Sequence, residues 1–345
     1  MNAFVRNAWY VAAWQHEVEV GRALSREILG TPVLLYRTPD GAPAALEDRC
    51  CHRALPLSMG RVVGERIECG YHGLQFDRTG ACVAVPGQSA IPPGARVPAY
   101  PLIERDRFVW IWMGDADRMD PADIPDFHWL DHPDWRAKPS YLHIRCNYQL
   151  LIDNLLDLSH LPFVHPTTLG EMGVAETPAA TERTERGVRT TRWIVDRPPP
   201  PMLAKLGGFT GNIDRWQIVD FIAPSAVILD VGGAPTGTGA PEGDRSRGMS
   251  NCNLNAITPE TETSLHQFWA QAHSAKLTMP GITEGMHDQV RTAFLEDIAF
   301  LEAQQKRNEA GRGAARIDIA ADAAHLQAHR LMDRLRAEEA AAAAE

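Results

Sequence analysis

No apolar run in this sequence approaches the roughly 20 residues that a membrane-spanning helix requires. The start of the chain also lacks the marks of a secretory leader. The short apolar run from Met1 to Trp14 has Arg6 as its only basic residue, and the acidic His16-Glu17-Val18-Glu19 follows with no small-residue cleavage site. Positive charge is in deficit: lysine and arginine number 34 against 44 acidic residues, a net charge of −10. The chain therefore lacks the basic face that nucleic acid or an anionic bilayer demands, and an anionic substrate would have to be met by local groups in a pocket. Cysteine is scarce, six in 345 residues. Without a leader, such thiols serve as metal ligands more often than as disulfides, and a reducing, cytoplasmic setting is expected. No G-x-G-x-x-G fingerprint follows a strand-like run, so NAD(P)H would be consumed by a separate protein. No internal repeat is visible.

At 345 residues the chain exceeds the usual size of one domain, and two are expected, 1–125 and 126–345. From Val33 to Trp112 short β-branched and apolar runs alternate with turn residues. Val33-Leu34-Leu35-Tyr36 precedes Pro39-Asp40-Gly41, and Phe108-Val109-Trp110-Ile111-Trp112 precedes Gly114-Asp115. That pattern predicts an all-β module. The charged, turn-rich stretch from Gly114 to Pro139 predicts a connection, and the second domain begins near Ser140. There, Asn147 to Ser159 has near-helical apolar spacing, and Pro162 makes its regular continuation improbable. Strand-like runs follow at Val219-Asp220-Phe221-Ile222 and Val227-Ile228-Leu229. The prolines Pro198 to Pro201 and the segment Gly232 to Gly243 predict mobile loops. Thr283 to Arg307 predicts an amphipathic helix, and the Ala/Glu-rich tail after Ala320 a final helix fraying at Glu345. The fold class is thus α+β, an all-β N-terminal domain followed by a mixed one.

Two clusters of ligand-type residues stand out. Cys50-Cys51-His52, sixteen intervening residues, then Cys69-Gly70-Tyr71-His72 supply two thiolates and two imidazoles as matched pairs in loops. A zinc finger would place both histidines on one helix. One cysteine beside each histidine instead fits a [2Fe-2S] cluster with two cysteines on one iron and two histidines on the other, the Rieske form, a mild one-electron carrier. The Cys-x-His spacing selects Cys50 over Cys51. Cys82, Cys146 and Cys252 read as small buried hydrophobes. In the second cluster, Asp153-Asn154-Leu155-Leu156-Asp157-Leu158-Ser159-His160-Leu161-Pro162-Phe163-Val164-His165, the histidines are five apart, about 140° around an unbroken helix. A turn at Pro162 would bring His160 and His165 onto one metal. A carboxylate from elsewhere would complete the 2-His-1-carboxylate set of non-haem Fe(II) oxygenases, with positions open for O2.

Over nearly its whole length the sequence resembles the oxygenase α subunits of Rieske non-haem iron oxygenases, within the vanillate and dicamba O-demethylase group. The residues that carry this are Phe4-Val5-Arg6-Asn7-Ala8-Trp9-Tyr10-Val11-Ala12, Cys69-Gly70-Tyr71-His72-Gly73-Leu74, the histidine segment, and Asp214-Arg215-Trp216-Gln217-Ile218, the last closer to the vanillate branch. The resemblance implies a Rieske domain followed by a catalytic domain whose antiparallel sheet is flanked by helices in a helix-grip-like arrangement. It implies Asp297 as the carboxylate ligand. By helical geometry alone the choice between Asp297 and Glu296 stays open, since adjacent residues lie about 100° apart and only one can face both histidines. It implies a head-to-tail homotrimer in which Asp157, three residues before His160 and read as sharing its helix face, bridges His160 to His72 of a neighbouring subunit. Asn154, one turn earlier, is a further supporting candidate.

The implied reaction is O-demethylation of a methoxylated, vanillate-like aromatic acid to a phenol and formaldehyde. It would use O2 and electrons from a separate reductase carrying flavin and a ferredoxin-type [2Fe-2S] cluster. The pocket is expected between the sheet and the ligand-bearing helices, with Pro198 to Gly211 as its lid and Asn255 as a candidate substrate contact. At Asn255, and at His266, Gln267, Phe268 and Trp269, the residue types depart from the group's pattern, which bears on the substrate and not on the class of chemistry. The alternatives are a ring-hydroxylating oxygenase of the same family and a Rieske electron-transfer protein. The second needs none of the residues beyond the first domain.

Overall fold

The computed structural model describes residues 3–311 and 317–342. Met1, and Glu345 where the last helix was expected to fray, lie outside them. The chain divides into two compact units. Phe4–Ile124 with Thr258–Glu262 forms one, and Pro125–Ile257 with the residues from Thr263 onward forms the other.

The first unit is all-β, as its alternating runs predict. Its strands are β1 (Trp9–Trp14), β2 (Ala23–Ile28), β3 (Thr31–Arg37), β4 (Pro43–Glu47), β5 (Arg61–Val63), β6 (Arg66–Glu68), β7 (Gln75–Phe76), β8 (Cys82–Ala84), β9 (Ala99–Tyr100), β10 (Leu102–Arg105) and β11 (Phe108–Trp112). They form three sheets, ordered β1-β11-β10, β2-β3-β4-β9 and β5-β6-β7-β8. Every residue of β1 and β11 is buried, which explains why both are continuous apolar runs rather than alternating ones. Leu34, Leu46, Leu57, Ile67, Phe76 and Val97 pack into a core that also holds Cys50 and Cys69. The segment Thr258–Glu262 is tied within this unit, the Thr258 Oγ1 donating to the Val11 carbonyl at 2.7 Å.

The second unit is built on a seven-stranded sheet ordered β12-β18-β17-β16-β15-β14-β13. Its strands are β12 (Arg136–Ile144), β13 (Ala180–Arg183), β14 (Gly187–Arg197), β15 (Ile213–Ile222), β16 (Ala226–Pro235), β17 (Met249–Thr261) and β18 (Ser264–His273). The pairs β12–β18, β13–β14, β14–β15, β15–β16 and β16–β17 are antiparallel. The helices are α1 (Tyr148–Leu156), α2 (Leu161–Val164), α3 (Met172–Glu176), α4 (Pro201–Gly207), α5 (Ile282–Ala310) and α6 (Ala323–Ala342). Helix α5 packs on β12 and β18, and α6 on β13, β14 and α1. Among the described residues no helix is long and apolar enough to cross a membrane.

Three local expectations are corrected. Pro198, Pro199 and Pro200 lie outside regular structure, as expected, but Pro201 opens α4 at a first-turn position, where a missing N–H costs no helical hydrogen bond. Gly232 and Gly233 belong to β16 and not to a loop. A Cβ on Gly232 would stand 2.2 Å from the Trp216 ring and 2.2 Å from the Met249 carbonyl oxygen, so glycine is there to admit the indole. The helix read over Asn147 to Ser159 stops earlier, at Asp157, whose backbone is extended (φ −116°, ψ 99°). The chain then re-enters helix, and Pro162 lies in the first turn of α2.

Candidate metal centres and cavity

In the first unit, two loops share one hydrogen-bond pattern. The Cys50 N–H donates to the Leu55 carbonyl and that of Ala54 to the Cys50 carbonyl; equivalently, Cys69 donates to Leu74 and Gly73 to Cys69. Ala54 (φ 57°) and Gly73 (φ 73°) take the same left-handed turn. Here is a local repeat that the sequence conceals, because alanine fills in one loop the position glycine fills in the other and the histidines differ in spacing by one. The turns bury Cys50 and Cys69 and leave His52 and His72 exposed, their rings 4.5 Å apart. Cys51 is exposed. Burial, reinforced by the Cys69 thiol beside it, pushes the Cys50 thiol up to about 11. Desolvation and the adjacent His52 hold His72 below its ordinary value, in the neutral form a metal needs. Two buried thiols beside two exposed imidazoles suit an iron–sulfur cluster of mixed ligation.

In the second unit, His160, His165 and Asp297 bring one ligand atom each within 4.8 Å of the others. Asp297 Oδ1 lies 3.1 Å from His165 Nε2 and 3.5 Å from His160 Nε2. Each histidine is held by its other nitrogen, which fixes the ring and turns Nε2 inward. His160 Nδ1 is 2.7 Å from the Asp157 backbone carbonyl. His165 Nδ1 is 2.6 Å from Glu296 Oε2, which also accepts from Thr168 Oγ1 at 3.2 Å. Burial pulls the His165 pKa down, but Asp297 and Glu296 together outweigh it and hold it above the ordinary histidine value. Asn154 Nδ2 donates to Asp297 Oδ1 at 3.1 Å. The two imidazoles and one carboxylate on one side of the site fit a mononuclear iron of the facial type.

Only Asp297 faces both histidines, as the 100° step along a helix requires, and helical spacing misjudged one side chain, Asp157. Adjacent carboxylates on α5 both reach His165, one at each nitrogen, because the imidazole ring spans the gap between them. Asp157 does not share a helix face with His160. Its carbonyl holds the imidazole, while its carboxylate accepts from the Ser159 N–H at 2.9 Å and the Ser159 hydroxyl at 2.8 Å, capping the turn that follows.

The three residues open onto a cavity of about 490 Å³. Its roof includes Ile282, Met286, Val290 and Phe294 of α5, with Leu203 and Leu206 of α4. Its floor is one face of the sheet: Arg215 and Gln217 of β15, Leu229 and Val231 of β16, Asn251 and Asn253 of β17, and Gln271 of β18. Register explains the grouping, since Gln217 pairs with Val231 and Val231 with Asn251. Asn255 is corrected as a substrate contact. It is fully buried and does not line the cavity. Its Oδ1 accepts from Gln267 at 2.9 Å and its Nδ2 donates to Asn253 at 2.8 Å; Asn253 in turn donates to Gln271 at 3.1 Å. His266, Gln267, Phe268 and Trp269 do not line it either. The alternation Asn251-Cys252-Asn253-Leu254-Asn255 was a usable signal for the two asparagines that do, because alternate residues of a strand share a face.

Comparison with known proteins shows the family. Residues 8–101 match the Rieske [2Fe-2S] domain, and residues 144–338 match the vanillate O-demethylase oxygenase C-terminal domain. The chain is 45% identical to the iron–sulfur subunit of the toluene-4-sulfonate monooxygenase system of Comamonas testosteroni, over 96% of this chain and 97% of that one. It is 35% identical to a vanillate O-demethylase oxygenase subunit of Pseudomonas sp. (strain HR199 / DSM 7063), over 99% and 97%. The crystal structure of dicamba monooxygenase bound to 3,6-dichlorosalicylic acid superposes with a TM-score of 0.89 at 35% identity, covering 98% of this chain and 99% of that one.

Proposed function

The chain belongs to the Rieske non-haem iron oxygenases with a vanillate O-demethylase type of catalytic domain, and on that premise we propose that it hydroxylates a methyl carbon carried by an aromatic acid. The observation that carries this is the cavity of about 490 Å³, apolar above and amide-lined below, onto which His160, His165 and Asp297 open. Cys50, His52, Cys69 and His72 would hold the [2Fe-2S] cluster, and His160, His165 and Asp297 the mononuclear iron. When bound, the cluster carries single electrons and the mononuclear iron activates O2.

The chain's own residues prepare that chemistry. Glu296 and the Asp157 carbonyl lock both imidazoles, Asn154 steadies the Asp297 carboxylate, and α4 with α5 supplies the apolar lining opposite the sheet. A methoxy carbon so hydroxylated gives a hemiacetal that collapses to a phenol and formaldehyde. A ring methyl gives a benzylic alcohol, the outcome favoured by the 45% identity to the toluene-4-sulfonate relative. In either case one O2 and two electrons are consumed and one oxygen leaves as water. A separate reductase with flavin and a ferredoxin-type [2Fe-2S] cluster supplies the electrons. In the homotrimer we expect, Asp157 of one subunit faces the exposed His72 of the next.

The test is a panel of methoxybenzoates and 4-methylbenzenesulfonate, assayed with a surrogate reductase for formaldehyde and hydroxymethyl products. One of these in step with NADH consumption is expected. A cis-diol would place the chain among ring-hydroxylating enzymes, and no product from any member would overturn the reading.

A further inference from the structure

We propose that Arg215, with Gln217 beside it, receives the acidic group of the substrate; this rests on the aromatic-acid reading above and names the residue that selects the acid. Among the described residues, Lys205 and Arg215 are the lysine and arginine side chains that line the cavity. Lys205 is exposed, whereas the Arg215 side chain is only 12% exposed. Its Nη1 donates to Glu171 Oε2 at 2.6 Å, using one of five guanidinium N–H groups. Its Nε is buried and finds no hydrogen-bond partner among the described residues. A charged donor without an acceptor is costly in a folded chain, and a ligand acceptor removes the cost. Burial works against the Arg215 cation and Glu171 works for it, so an anion arriving from the cavity would add to what Glu171 supplies.

Gln217 follows two residues later on the same strand and therefore on the same face. Its Oε1 is taken by Arg192 Nη1 at 2.9 Å, and Arg192 is pinned in turn by its Nε on the Thr177 carbonyl at 2.9 Å. With its carbonyl occupied, Gln217 offers its NH2 group. The floor thus carries a charged donor and an oriented neutral donor side by side, chemistry suited to a carboxylate or a sulfonate.

The test measures binding to anaerobic holoenzyme by calorimetry, together with KM and kcat. The ligands are 4-methylbenzenesulfonate and 4-methoxybenzoate, with the uncharged 4-methylbenzenesulfonamide and methyl 4-methoxybenzoate as their neutral counterparts. The two acids show whether sulfonate or carboxylate is the better match. Wild type should favour acid over neutral counterpart. Arg215→Gln should weaken binding of the better acid by roughly tenfold to a hundredfold, the range of a charge-assisted hydrogen bond. That loss should fall on KM far more than on kcat and leave the neutral ligands unchanged. Glu171→Gln breaks the same ion pair but keeps the guanidinium, and should hold or raise acid affinity. If Arg215 serves only as the partner of Glu171, both variants lose acid and neutral ligands alike, and the proposal is overturned. Wild type that binds acids and neutral ligands equally sinks this inference and leaves the oxygenase reading intact. Wild type that binds neither sinks both.

Discussion

Replacing Glu296 isolates the contribution of a carboxylate that stands outside the His160, His165 and Asp297 group and holds one of its imidazoles. Glu296 Oε2 lies 2.6 Å from His165 Nδ1, and the histidine side chain is only 1% exposed. Removing the acceptor frees the ring to turn, weakens Nε2 as a donor atom and strands a buried N–H. Such supports typically change metal affinity by about 10- to 100-fold, or about 1.4 to 2.8 kcal/mol. Glu296 is 30% exposed, so water can partly replace it, and Gln keeps an oxygen acceptor without the charge. We therefore expect about a tenfold loss for Glu296→Gln and a larger one, towards a hundredfold, for Glu296→Ala. Competition with a graded Fe(II) chelator reads the affinity, and the visible absorbance of the Rieske cluster serves as an internal control, since it belongs to the other unit. Iron held as tightly as in wild type by both variants would refute the reasoning. Loss of the cluster absorbance together with the iron would point instead to general unfolding.

Cys50→Ser should abolish the cluster spectrum while Cys51→Ser preserves it, because Cys50 is buried beside Cys69 and Cys51 faces solvent; the reverse pattern would overturn the ligand assignment. Asp157→Ala leaves the carbonyl that holds His160 and removes only the carboxylate, so both metals should remain while turnover falls; full turnover would remove the proposed link to His72 of the next subunit. Gly232→Ala should lower the melting temperature measurably, an overpacking cost of about 1–3 kcal/mol, since Trp216 and the Met249 carbonyl both occupy the space. His329 Nε2 lies 2.8 Å from Asp153, and this hydrogen bond, against opposing burial, raises its pKa above 6.5. Protonation is therefore favoured in the folded state, so the stabilisation is present below pH 6.5 and lost as pH rises through the folded-state pKa. The fall in melting temperature from about pH 6 to about pH 8.5 should be smaller in His329→Gln than in wild type, and identical profiles would refute the linkage.

What could be read in the sequence was what short spacing controls. Cysteine and histidine in matched pairs announce a cluster because both ligands of each pair lie within one turn, and strand runs announce themselves by period. What escaped depended on elements distant in the chain. Nothing near Gly232 says that Trp216 will lie across it, so a strand read as a loop. Nothing near Glu296 says that a histidine 131 residues away will present one nitrogen to it and the other to Asp297. Helical angle counts which side chains share a face, but it takes the partner as a point, and an imidazole is wide enough to be gripped from both sides. Arg215 shows the same limit. In the sequence it is one letter of a family resemblance, and only the burial of its Nε beside the cavity, with Glu171 on another nitrogen, makes it a group still in want of an acceptor. The ligand positions state which reaction class the chain can run. The unpaired donor on the floor bears on which molecule it will accept.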